Sequence, residues 1–222
     1  MAKDSVEDAT GLRPTNEKLL NGIRALKVPP RIKDHMRCML LGRIKCGPFW
    51  SNIDGQAERG FCSFCIRRSG IEVVETENHM WLQCEYNGQS QAWETARWIW
   101  SKTTDRDWPI VTMGLIRGAA AVLFEEDHNK DSERFRILIT LTTWAIWKAR
   151  NKNAMTEQEV TASETNCILK DLISDLVRKD WIATRFMVDR RKSIRRRILR
   201  SLWAGKGFAD FDLKTGPRVN FT

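Results

Sequence analysis

The chain has no apolar run approaching the ~18 residues a membrane-spanning helix requires, so no such helix is expected. The opening stretch, Met1 to Asp8, lacks the apolar centre of a secretion signal. Export is therefore not expected, and elimination leaves the nucleus or cytoplasm. Only 6 Pro and 13 Gly punctuate the sequence, which argues against a sandwich of many short strands. Catalytic signatures are missing as well: there is no P-loop, no dinucleotide glycine fingerprint, no nucleophile elbow and no paired-Asp motif. Glu125, Glu126 and Asp127 are consecutive, and adjacent carboxylates on a loop do not converge on a metal unaided. They read as solvated, and the chain reads as a non-enzyme.

What is present describes a folded, basic protein. The 222 residues suffice for one or two domains with a buried core. Hydrophobic residues make up 42% and charged residues 29%, a globular balance. Lys and Arg number 37 against 28 Asp and Glu, a net charge of +9 that suits nucleic acid or another anionic surface. Ten Trp imply aromatic cores or stacking surfaces. Six Cys in a reducing compartment read as thiols or metal ligands rather than a disulfide framework.

Periodicity divides the chain into four segments and predicts a mainly α fold, a small irregular zinc-binding module packed on a helical bundle. Residues 1–30 form a variable N-terminal segment. Its first 15 residues read as a frayed tail, and Asn16 to Lys27 as a helix burying Leu19, Leu20, Ile23 and Leu26. Residues 31–88 form the zinc-binding module. It is entered by a helix with Pro30 in its first turn, Ile32, Met36, Met39 and Leu40 inward, and an end near Gly42. Residues 89–186 form the bundle. Ser90 caps one helix, Asp107-Trp108-Pro109 starts another running to about Phe124, and Asp131 or Ser132 caps a third that is apolar on most sides. Gly114 and Gly118 weaken the second. Ser163 opens the last, with Ile168, Leu169, Leu172, Ile173, Leu176, Trp181 and Phe186 as its stripe. Residues 187–222 are a basic tail.

The chemistry concentrates in residues 62–84. Cys62-x2-Cys65 followed by His79-x4-Cys84 has the spacing of a closed four-ligand structural zinc site, with no position left for a substrate. Arg67 and Arg68 would favour the thiolate forms. The competing reading is ordinary buried thiols and a core histidine. His35, Cys38 and Cys46 offer a weaker second set, while His128 and Cys167 read as core or surface. Phe49, Trp50, Phe61, Phe64 and Trp81 either pack around the metal or stack on unpaired bases. Packing is favoured, and Phe64, between two ligands, is the best stacking candidate.

Between Arg185 and Lys206 nine basic residues face a single acid, Asp189, so nearly all the excess charge is local. Ile194, Ile198, Leu199, Leu202 and Trp203 interleave at helical spacing. Arg190, Arg191, Lys192, Arg195, Arg196, Arg197 and Arg200 are candidate phosphate contacts, joined by Phe64, Arg67 and Arg68 from the zinc module. A nuclear import signal in Arg190 to Arg197, a membrane-surface or calmodulin-type helix and a plain solvated face are the other readings.

Arg43-Ile44-Lys45-Cys46-Gly47-Pro48-Phe49-Trp50, then Cys62-x2-Cys65, then Glu77-Asn78-His79-Met80-Trp81-Leu82-Gln83-Cys84, resemble the zinc-binding region C-terminal to reverse transcriptases of non-LTR retrotransposons. Residues 98–150 are similar to the helical C-terminal part of fungal members. The resemblance implies a fragment of a longer polyprotein without its polymerase and RNase H domains. It implies zinc on Cys62, Cys65, His79 and Cys84, no catalytic residues, and a role in holding RNA or DNA with weak sequence preference. The spacing differs from the short retroviral knuckle, whose fold is not expected. A protein-interaction module acting through the C-terminal amphipathic helix, or an inert remnant, is the alternative.

Overall fold

A computed structural model describes residues 1–124, 130–156, 158–212 and 214–221. The acidic triplet Glu125, Glu126 and Asp127, with His128, lies outside the described residues. The architecture is mainly α. In chain order the helices are α1 (Ala2–Thr10), α2 (Asn16–Ala25), α3 (Pro30–Leu40), α4 (Pro48–Ser51), α5 (Ser63–Ser69), α6 (Gln89–Thr103), α7 (Met113–Gly118), α8 (Lys130–Met155), α9 (Ala162–Ala183) and α10 (Asp189–Trp203). A hairpin of β1 (Ala209–Asp212) and β2 (Gly216–Val219) follows, antiparallel, with Ala209 opposite Val219. Among the described residues no helix is long and apolar enough to cross a membrane.

The organising element is α8. Phe135, Leu138, Ile139, Ala145, Ile146 and Ala149 are fully buried, as are Thr140, Thr142 and Thr143, so it is enclosed on most sides. Helices α3, α5, α6, α7, α9 and α10 all touch it. Near its N-terminus the buried Arg134 donates from Nε to the Leu202 carbonyl at 2.8 Å and from Nη2 to the Ser201 carbonyl at 3.1 Å. These satisfy carbonyls at the open end of α10 and fix that helix to α8.

Several boundaries differ from expectation for local physical reasons. Helix α6 starts one residue before Ser90, after Gly88 at φ +76, where an added Cβ would run into Ala162 and Thr165 of α9. Helix α9 is capped by Thr161 rather than Ser163, in a reciprocal box with Glu164. The stretch around Trp108 and Pro109 is not helical. Trp100 donates to the Arg106 carbonyl, and the Trp108 ring packs on Trp100 and Phe135, which holds the chain extended until Thr112 caps α7. Leu20 (45% exposed) and Phe186 (87% exposed) lie outside the core, while Val177 is buried in α9.

Of two segments given as tails, the first is folded, and the second forms the helix that its interleaved apolar residues suggested. Helix α1 buries Val6 against α7, and the glycines of α7 are the reason. A Cβ at Gly114 would collide with Ser5, and one at Gly118 with Val6 and Ala2. These glycines form a notch for a close helix approach. Residues after 187 make α10 and the hairpin: Phe208 packs among Trp98, Trp203 and Phe221, and Phe211 lies 5.3 Å from Trp181.

His35 is enclosed by Trp81, Trp144 and Trp147, with ring centroids 5.3–6.0 Å away. Burial holds its pKa down to about 4 from an ordinary value of 6.5. The unfolded chain therefore takes this proton at higher pH than the folded one. The contribution of His35 to stability is complete above its ordinary value of 6.5 and is lost as the pH drops towards 4, by up to about 3 kcal/mol. We expect His35→Gln to lose less stability than the parent between about pH 7 and pH 4.5 in urea titrations, because the titrating group is gone.

Candidate metal centre

The site is assembled from a helix start and a wide turn. Cys62 immediately precedes α5 and Cys65 lies in its first turn, so one helical turn places both sulfurs on one side. The Cys62 amide donates to the Val73 carbonyl and the Glu75 amide to the Gly60 carbonyl, which closes the loop back over α5. Helix α5 stops at Gly70, left-handed at φ +69. His79 begins a π-helical turn, His79–Gln83, after which the Cys84 amide returns to the His79 carbonyl at 2.8 Å. The extra residue in that turn brings imidazole and thiol to the same point.

All four side chains are buried, and their donor atoms lie within 4.8 Å of one another. Cys62 Sγ is 3.8 Å from Cys84 Sγ, Cys65 Sγ is 3.9 Å from Cys84 Sγ, and Cys65 Sγ is 3.5 Å from His79 Nε2. These four residues can hold a metal ion. Without one the cluster is electrostatically awkward. The hydrogen bond to Cys84 and burial push the Cys62 thiol up to about 12, and burial first pushes Cys65 up to about 11. The same bond with Cys62 moves Cys84 down.

Under the donors sits a small apolar cluster of Phe64, Ala149 and Val160. Phe64 is 1% exposed and presents no face to a base, so it packs as favoured and drops out as a nucleic-acid contact. Arg67 donates to the carbonyls of Thr156 and Gln158, and Arg68 pairs with Glu159. Both therefore fasten α5 to the chain after α8, and the thiols they were expected to acidify are instead shifted upward. His35, Cys38 and Cys46 do not converge: among the described residues Cys62, Cys65, His79 and Cys84 are the only such group.

The anchors of the module were not legible in the spacing. The buried Glu75 accepts from Arg150 Nε at 2.9 and 3.1 Å and from Nη2 at 2.6 Å. Burial raises the Glu75 pKa and the guanidinium opposes it. Three residues on, Asn153 donates to Ser63 Oγ at 3.0 Å and accepts from the Val160 amide at 3.0 Å. Trp81 donates to the Thr143 carbonyl, and Trp93 to the Trp81 carbonyl. One face of α8 thus grips the whole metal loop.

The basic run divides in two. Arg195 pairs with Asp180 at 2.7 Å, Arg196 donates to Thr184 Oγ1 and lies 4.5 Å over Trp181, and Arg200 approaches the same ring at 5.7 Å. Lys192 is half-buried. Arg190, Arg191, Arg197 and Arg200 are exposed and enter no ion pair among the described residues, and of these Arg200 also reaches the Phe211 carbonyl at 3.4 Å.

Removing one partner of the buried Glu75–Arg150 pair should cost far more than removing an exposed one. Arg150→Met is expected to lower the unfolding free energy by about 3–5 kcal/mol. Lys152→Met, whose partner Glu164 is exposed, should cost under about 1 kcal/mol. Urea unfolding followed by Trp fluorescence measures both. No protein-family model, curated protein or solved structure matches the chain.

Proposed function

We propose that the chain is a non-catalytic nucleic-acid-binding accessory module whose loop 62–84 is held by a structural zinc ion. The donor set supports zinc, since three thiols and one imidazole are the soft ligands of closed structural sites. The distances support it as well. A tetrahedron with Zn–S near 2.3 Å and Zn–N near 2.0 Å has S···S edges of about 3.8 Å and S···N edges of about 3.5 Å. The observed 3.8, 3.9 and 3.5 Å edges have those lengths. Bound there, zinc supplies a cross-link and no open position for catalysis. Cys62, Cys65 and Cys84 would give up their protons to it, so affinity rises with pH. Elemental analysis of the purified protein should find about one zinc per chain, and Cys84→Ser should lose it. A chain that purifies metal-free and fully folded would refute the assignment.

The observation that carries nucleic-acid binding is the exposed set Arg190, Arg191 and Arg197 on α10. Arg190 and Arg197 share a helix face and Arg191 flanks them. The resemblance to the retrotransposon zinc-binding region supports the same role, as a fragment that holds RNA or DNA with little sequence preference. A helical protein-interaction surface is the second reading, favoured by Phe186, Val188 and Ile194, which are exposed among these arginines.

Binding to a mixed-sequence DNA should weaken steeply with salt. Replacing Arg190, Arg191 and Arg197 with Ala should reduce the log–log slope by about 0.9 per lost phosphate contact. Replacing Arg195 and Arg196 should act mainly on thermal stability. A salt-independent affinity, or a slope untouched by the first triple variant, would count against the reading.

A further inference from the structure

Beside the metal loop the chain leaves a groove of about 840 Å3 between residues 42–49, residues 76–78 and α7. Ile44, Pro48, Phe49 and Met113 make its walls apolar. Across its floor Arg117 donates from Nε at 3.2 Å and Nη2 at 2.7 Å to one Glu77 oxygen, so this acid is neutralised. Arg43 and Lys45 stand exposed at its mouth, and the exposed Asn78 amide makes no hydrogen bond among the described residues.

Phe49 is 40% exposed and meets Trp50 edge-on at 5.0 Å. Lys45 Nζ lies 5.2 Å from the Phe49 ring, and Arg59 lies 4.0 Å over the Trp50 ring. Phe49 thus lines the groove with Lys45 against its ring, the Arg59-covered Trp50 braces it from the edge, and the groove carries a free amide. Each part matches one part of a nucleotide. A ring face accepts a base by stacking, cations at the rim accept phosphate, and an amide can donate to and accept from a base edge. Bases inside a duplex are already stacked and paired, so only an unpaired strand can present one to this groove.

We propose that this groove is a binding site for single-stranded nucleic acid, with Phe49 stacking a base, Arg43 and Lys45 holding the adjoining phosphates and Asn78 meeting the base edge. The inference rests on the nucleic-acid reading above and adds a strand preference that the α10 arginines cannot supply, because phosphates are common to both forms. It places the stacking role on Phe49 and not on the buried Phe64.

The test uses the full chain and two fluorescent probes, an oligothymidine of about 16 nucleotides and a duplex of the same length, read by anisotropy. The single strand should bind more tightly. Phe49→Ala should weaken it by about tenfold or more while leaving duplex affinity unchanged, and Phe49→Trp should restore it. Arg43→Ala with Lys45→Ala should weaken the single strand too, and an oligonucleotide with an internal 2-aminopurine should be quenched by the parent and not by Phe49→Ala. Equal affinity for both probes, or single-strand affinity unmoved by Phe49→Ala and Asn78→Ala, overturns the groove assignment and leaves the α10 reading standing. Displacement of the oligonucleotide from the groove by an acidic peptide of equal charge, with equal potency, overturns it in favour of a protein ligand. Binding of neither probe overturns the nucleic-acid reading itself. Phe49 lies at the surface, so a matched melting curve should show the variants folded.

Discussion

Three thiols and an imidazole crowded into a dry pocket set the terms for everything around them. With sulfurs 3.8 and 3.9 Å apart and away from water, they cannot all ionise without a shared cation. Directly beneath the donors lies a small apolar cluster, with Phe64, Ala149 and Val160 as its non-ligand members, while Met80 and Trp81 of the same loop are buried in the main core. To that apolar anchoring are added polar links, which are directional and fix the loop in one pose. The Glu75–Arg150 pair and the Asn153 contacts do this, and all of them reach α8. A region with little core of its own thus inherits rigidity from the most buried helix of the fold.

The same economy governs the positive charge. Within one basic run, Arg195 and Arg196 are occupied by Asp180, Thr184 and Trp181, Arg200 is exposed while reaching the Trp181 ring and the hairpin, and Arg190, Arg191 and Arg197 remain in solvent. The occupied guanidiniums lie over a Trp ring and along the α9 surface, where a planar, weakly hydrated cation packs well. The run is therefore neither a tail nor a uniform patch. It is a helix with an inner and an outer set of arginines.

The metal ligands could be read from sequence because their spacing is a local property: a helix turn sets Cys62 to Cys65 and a single wide turn sets His79 to Cys84. The burial of α3 and α8 was equally legible in apolar periodicity. What escaped depended on distant partners. Helix α1 is polar enough to read as a tail, and only the glycine notch of α7, far along the chain, explains why it folds. Glu75 and Arg150 look like ordinary surface charges until the fold brings them together in the interior. Phe64 was misread for the converse reason, because proximity to ligands in sequence says nothing about which side of the loop faces solvent. The caps of α6 and α9 each lie two residues before the expected serines, since Gly88 lets α6 approach Ala162 and Thr165 of α9 and Thr161 forms a reciprocal box with Glu164.

Helix α8 holds the metal loop through Arg150 and the end of α10 through Arg134. Sixteen residues separate these two grips in the sequence, which at the helical rise corresponds to about 24 Å. A single helix therefore acts as a gauge block, setting a fixed offset between the metal loop and the end of α10. An extended polymer engaging both would have to bridge that offset, while a shorter one would reach a single end and gain nothing from the other.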